Sequence, residues 1–129
     1  MKLLVDTHIL LWMSGMSWKL PHKARELLED VENDVFFSTV SIWEIAIKSS
    51  LKRFPDFSVD AERLRRTLID HSYRELPLMG EHAVAVGGLP HIHGDPFDRI
   101  LIAQSLVEGL SLITVDKTVA RYGGLIQLV

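Results

Sequence analysis

The sequence contains no cysteine. Disulfide frameworks, cysteine-ligated zinc and thiol nucleophiles are therefore excluded. A chain without cysteine suits the cytoplasm, the location expected here. No stretch approaches the roughly 20 consecutive apolar residues that span a bilayer, so no membrane partner is expected. There is no internal repeat and no low-complexity tract. Nor is there an excess of positive charge: the formal net charge is −3. No global field draws nucleic acid, and any such contact must come from a local basic patch.

What the sequence does have is regular alternation of short apolar runs with helical patterns. Its 129 residues suit one domain, expected over residues 1–129. A chain of that size buries roughly two thirds of the surface that it exposes when unfolded. The opening MKLLVDTHILLWM is charged and apolar, like a signal peptide. Asp6 and His8 interrupt the apolar run, however, and no small-residue cleavage site follows. It reads instead as a first strand, Leu3-Leu4-Val5, and a helix from His8 to Met13. Pro21 opens a second helix, and Val35-Phe36-Phe37 forms a second buried strand. Ser41 is expected to start an amphipathic helix through Leu51, ended by Pro55. A helix over about 59–71, a short strand over 73–78 and a weak helix over 81–89 follow. Residues 90–96 read as a loop. Phe97 to Glu108 forms a helix closed by Gly109. A buried strand over 112–115, a short helix after Asp116 and a closing segment over 125–129 complete the chain. Strands apolar throughout, alternating with helices, predict an α/β fold around a mostly parallel sheet. Such sheets carry their sites at the carboxyl ends of their strands.

Four acids stand at those ends. Asp6 follows the first strand. Glu44 is expected in the first turn of the helix after the second strand. Asp98 lies in the first turn of the helix that Pro96 opens, and Asp116 follows the strand ending near Val115. Each has a plain reading as a helix cap: Asp6 and Asp116 as N-caps, Ser41-x-x-Glu44 as a capping box, and Asp95-Pro96-Phe97-Asp98 as a capped start. Capping does not explain the set. Carboxylates converging on one edge repel, and without a cation at least one should have a raised pKa. Helix N-termini offset only about 0.3–1 kcal/mol each. Oxygen ligands without cysteine or a clear histidine partner favour Mg²⁺ or Mn²⁺. A Mg²⁺ held by few carboxylates accepts phosphate oxygens, which points to phosphodiester hydrolysis.

The segments LLVDTHILLW, SIWEIAIK, HGDPFDRILIAQS and LITVDKTVARYG resemble, in this order, those of PIN-domain ribonucleases. The likeness is to VapC-type toxins of VapBC toxin–antitoxin pairs, and it runs from Lys2 to about Gly123. The resemblance implies a three-layer α/β/α sandwich and metal-dependent endonucleolytic cleavage of RNA. It places the acidic ligands on Asp6, Glu44, Asp98 and Asp116. It makes Thr7 and Thr114 small polar helpers and leaves Asp95 as an accessory acid or cap. It also implies a homodimer neutralised by a cognate antitoxin.

Other residues keep alternatives open. His91, His93 and Asp95 form an HxHxD that resembles a zinc half-site of metallo-β-lactamase-type hydrolases. The favoured reading is a polar loop leading into the Asp95 cap. His8 either orients a water near Asp6 or packs at the helix start, the latter being favoured. Arg99 either pairs with an acid or touches a phosphate. Lys48, Lys52, Arg53, Arg63, Arg65 and Arg66 are candidate RNA-facing charges or a solvated helix face. Lys117 and Arg121, close behind Asp116, are better placed to meet a phosphate backbone. Trp12, Trp18, Trp43, Met13 and Met16 are expected mostly in the core, with some at a dimer or antitoxin face. A PIN-fold binding module without turnover is the competing function. A phosphoacceptor signalling domain is a third, disfavoured because Asp6 is followed by Thr7-His8 rather than by a second acid.

Overall fold

A computed structural model describes residues 1–129. Five strands form one sheet: β1 (Lys2–Val5), β2 (Asp34–Ser38), β3 (Arg74–Leu76), β4 (Ser111–Thr114) and β5 (Gln127–Leu128). Their order is β3-β2-β1-β4-β5, and every pairing is parallel. The sheet is thus wholly parallel. Seven helices accompany it: α1 (Thr7–Gly15), α2 (His22–Glu29), α3 (Thr39–Leu51), α4 (Ala61–Asp70), α5 (Gly80–Ala85), α6 (Pro96–Glu108) and α7 (Lys117–Ala120). No helix is long and apolar enough to cross a membrane.

The pleat of each strand divides the core between the two faces of the sheet. Leu3 and Val5 of β1, Val35 and Phe37 of β2 and Ile113 of β4 pack with Ile9, Leu10 and Leu11 of α1, Ile45 of α3 and Leu64 and Leu68 of α4. Leu4 and Leu112 point the other way, onto Leu101, Ile102 and Ala103 of α6 and Val119 of α7. Because both faces are covered, β1 from Leu3 to Val5 and the whole of β4 are buried without alternation, as a doubly covered strand requires. The layers are therefore helix, sheet and helix.

From β1 the chain winds outward through β2 to β3. It then returns across the sheet to β4 on the other side of β1. The direction of winding reverses between β1 and β4, and the loops leaving those two strands diverge. A crevice opens at their carboxyl ends, where sheets of this type carry their sites. Asp6 and Asp116 follow these two strands.

Three expectations require correction. α3 starts at Thr39, not Ser41; its N-cap is Ser38, whose Oγ accepts from the Val40 N–H at 3.0 Å. Ser41 is inside the helix and buried, so there is no Ser41–Glu44 capping box, and Glu44 lies in the second turn rather than the first. The large residues near the chain start divide, with Trp12 and Met13 packed against the core and others left outside it. Trp18 is 76% and Trp43 54% exposed, while Trp12, Met13 and Met16 are only partly buried. α6 begins and ends as expected: Asp95 caps it, Pro96 occupies its first turn, and Gly109 closes it at φ 68°.

Candidate metal centre

Asp6 leaves the end of β1 and is buried. It occupies the N-cap position of α1 but makes no capping bond. Its Oδ2 instead accepts from the Thr114 hydroxyl at 2.5 Å, across the β1–β4 junction. The same Thr114 oxygen accepts from the Asp116 N–H at 3.0 Å. One threonine therefore fixes the acids that follow both central strands. Thr7, the next residue, donates to Ser41 Oγ at 2.8 Å and ties α1 to α3 one turn before Glu44. This is the role of Ser41 that the sequence did not disclose.

Glu44 is buried, and its Oε2 lies 2.7 Å from Lys48 Nζ. Its other oxygen, Oε1, is buried and has no hydrogen-bond partner. Leaving a buried carboxylate oxygen unpaired is costly. Asp98 lies in the first turn of α6. Its pKa is pushed up to about 8, first by burial and then by the charges of Asp6, Asp95, Glu44 and Asp116. The other four acids named from the sequence thus all act on Asp98, although Asp6 and Asp116 are separated by most of the chain; only Asp98 and Asp116 among them join His93 in one tight group of ligand atoms. Burial also raises the pKa of Asp6, against the opposing bond from Thr114.

Asp95 and Asp116 are caps as well as neighbours of the pocket. Asp95 Oδ1 accepts from the N–H groups of Phe97 and Asp98 at 2.8 and 3.4 Å. Asp116 Oδ1 accepts from those of Thr118 and Val119 at 2.7 and 3.3 Å. Partial burial disfavours ionisation of Asp116, but the bonds from His93, Thr118 and Val119 outweigh it and hold its pKa below the ordinary value. Capping by Oδ1 leaves Oδ2 of Asp116 turned toward the pocket, so the two readings of this residue are compatible.

His93 is the residue that sequence reasoning underrated. Its Nε2 lies 3.2 Å from Asp98 Oδ2 and 3.2 Å from Asp116 Oδ2. The ligand atoms of His93, Asp98 and Asp116 all lie within 4.8 Å of one another. His91 and Asp95, its partners in the HxHxD pattern, are not in that group. The orientation of the ring follows from its other nitrogen. His93 Nδ1 accepts from the Asp95 N–H at 3.0 Å, which leaves the proton of the neutral ring on Nε2, facing the two carboxylates. So held, His93 is a donor to the acids and not a ligand to a cation.

Arg99 fixes the loop that carries His93. Its guanidinium donates to the carbonyls of Val86, Pro90 and His93 and to the Tyr122 hydroxyl, and the His93 N–H also donates to that hydroxyl. It therefore meets no acid. His8 packs edge-on against Trp12 and Phe57, at ring separations of 6.1 and 5.5 Å. The remaining basic candidates divide. Arg65 pairs with Glu75 and Arg66 with Glu62, on a solvated face of α4. Lys117 and Arg121 are exposed beside Asp116.

The donor set suits a hard divalent cation. It consists of carboxylate oxygens, one of them buried and unpaired, in a pocket where burial raises the pKa of Asp6 and Asp98 and the neighbouring acids raise that of Asp98 further.

Comparison with known structures gives the same fold. The chain superposes on VapBC2 of Rickettsia felis, in a complex bound to a DNA fragment from their promoter, with a TM-score of 0.71, 14% identity, and coverage of 100% of this chain and 98% of that one. It superposes on a toxin–antitoxin complex from Klebsiella pneumoniae with a TM-score of 0.66, 18% identity, and coverage of 96% and 94%. FitAcB from Neisseria gonorrhoeae gives a TM-score of 0.67, 18% identity, and coverage of 93% and 91%. No curated protein matches the sequence. The PIN domain family, however, matches residues 3–125, which span both central strands and all four acids. This chain belongs to the PIN-domain family.

Proposed function

We propose that this protein is a divalent-metal-dependent endoribonuclease, the toxin of a toxin–antitoxin pair acting in the cytoplasm. Asp6, Glu44, Asp98 and Asp116 would hold Mg²⁺ or Mn²⁺ directly or through water. One observation supports this above the rest. Asp6, Glu44 and Asp116, from three other elements, act with Asp95 on Asp98, whose pKa is pushed up to about 8, while Glu44 Oε1 stays buried and unpaired. Caps alone would need neither feature. When bound, the cation supplies Lewis acidity toward a phosphate and lowers the pKa of water.

The chain's own groups supply the rest. Thr114 keeps Asp6 and Asp116 in register across the two central strands. The Nε2–H of His93 stands between Asp98 and Asp116, where it can donate to a phosphate oxygen once the acids turn to a cation. Arg99 positions that histidine through its loop. Lys117 and Arg121 offer exposed charge to an RNA backbone on the same side. Trp43, Ile47 and Leu51 form an exposed apolar stripe along α3, at helical spacing. Such a stripe suits a partner surface, either a second copy or an antitoxin. Toxin–antitoxin complexes among the structures sharing this fold support an antitoxin.

The test is cleavage of a mixed cellular RNA pool by the purified, antitoxin-free protein in Mg²⁺, Mn²⁺ or EDTA, beside Asp98→Asn. Discrete fragments that need metal and vanish in the variant are the expected result. RNA binding without cleavage under any metal would favour a PIN-fold binding module instead.

A further inference from the structure

The acidic pocket holds one positive charge of its own. Lys48 lies one turn after Glu44 on α3, in the order that favours an ion pair on a helix. Most such pairs are exposed and weak. This one is not. The side chains of Glu44 and Lys48 are only 4% and 21% exposed, and the contact measures 2.7 Å. The ammonium is also enclosed by three aromatic rings. Its nitrogen lies 4.7 Å from the centre of Phe57, 5.4 Å from Phe54 and 5.8 Å from Phe97. Phe54 and Phe57 flank the short turn after α3, and Phe97 adjoins Asp98 on α6. Ring faces attract a cation, and more strongly out of water. The ammonium is thereby held on the side of Glu44 where Oε2 lies, and only Oε1 remains without a partner.

We propose that Lys48 is a resident cation of this pocket, occupying the place that a second divalent ion would take, so that the pocket binds one. The inference rests on the metal-dependent reading given above and fixes its stoichiometry. Charge supports it. Counting Asp95, which also bears on Asp98, the carboxylates set against one divalent ion and one ammonium still leave the pocket negative, whereas a second divalent ion beside the ammonium would leave it no net negative charge. To take the place of the ammonium, a second ion would have to displace Lys48 from Glu44 and from three rings. With Oε2 engaged by the ammonium, Glu44 has only Oε1 free to offer to an ion. Lys48 is thus a positioning residue, acting through Glu44.

The test counts bound ions and does not depend on RNA cleavage. Mn²⁺ is titrated into the full chain by calorimetry, with free Mn²⁺ followed by electron paramagnetic resonance. Wild type and Lys48→Arg, which keeps the charge, should each bind one ion per chain. Lys48→Met keeps the apolar stem among the rings and removes the charge, and it should bind two. Two ions in wild type would overturn the proposal. So would a single ion in a folded Lys48→Met, while leaving the metal-dependent reading intact. No ion in wild type would overturn both. If Lys48→Met does not fold, Lys48→Gln is read in the same way. If neither folds, the wild-type count at saturating Mn²⁺ decides, one ion supporting the proposal and two overturning it.

Discussion

Replacing Asp98 by Asn should make the metal-free protein more stable, even though it removes a residue of the proposed site. Burial and four neighbouring acids push the Asp98 pKa up to about 8, against about 3.9 in an unfolded chain. Between these values the folded protein binds one more proton than the unfolded chain, so stability falls as pH rises. The contribution of Asp98 is fully present below about pH 4 and is lost progressively up to about pH 8. At pH 7 the cost of holding the proton is at most about 4 kcal/mol, from 1.36 kcal/mol for each of roughly three units. Relaxation and water entering the metal-free pocket reduce this, and half of it is a reasonable expectation. Asparagine carries no such penalty. Asp98→Asn should therefore melt about 8 °C above wild type at pH 7–8 in EDTA, taking about 4 °C per kcal/mol for a chain of this size. Near pH 4 the two should melt together. Adding Mg²⁺ should stabilise wild type by mass action and leave the variant nearly unmoved. Thermal melts followed by circular dichroism from pH 4 to 8, with and without Mg²⁺, would show this. A variant that melts below wild type at pH 8 in EDTA, or a difference that does not change with pH, would refute the reasoning.

Metal affinity should rise about tenfold per pH unit up to about pH 8, because a proton must leave Asp98; calorimetry in buffers of different ionisation enthalpy would detect that released proton. Thr114→Val removes the donor to Asp6 and the acceptor for the Asp116 N–H, and should weaken Mn²⁺ binding by about 10–100-fold in a titration while leaving the fold intact. Gly109→Ala places a side chain at φ 68° and should cost about 1 kcal/mol in urea denaturation, with the metal stoichiometry unchanged.

Much of this architecture is legible in the sequence, because the runs Leu3-Leu4-Val5 and Leu112 to Val115 show no apolar–polar alternation, as strands of a doubly covered sheet do. Winding order and the carboxyl-edge rule then bring Asp6 and Asp116 together without reference to any side-chain contact. Asp95 and Asp98 were legible through Pro96, which fixes where α6 starts. The start of α3 was not. Ser38 and Ser41 both suit an N-cap, and the choice falls to Ser38 through a distant contact: its hydroxyl also donates to the buried Gln104 at 2.6 Å. His93 was hidden for a related reason. Its loop is held by Tyr122 and Arg99, 29 and 6 residues away, and nothing local announces that its ring turns toward Asp98 and Asp116. Arg99 suggested a phosphate or an acid, yet it serves backbone carbonyls that only the folded loop presents. The exposure of Trp18 and Trp43 was equally unreadable, since hydrophobicity alone does not separate a core residue from one at a binding surface.

The most direct test of the central claim, that the carboxylates at this sheet edge hold a divalent cation, is the anomalous scattering of crystals grown with Mn²⁺. The account predicts a peak among Asp6, Glu44, Asp98 and Asp116, with carboxylate oxygens as its protein ligands and His93 Nδ1 still accepting from the Asp95 N–H. A fully ordered pocket with no peak at saturating Mn²⁺, or a peak held by His91 and His93 away from Asp6 and Glu44, would contradict it.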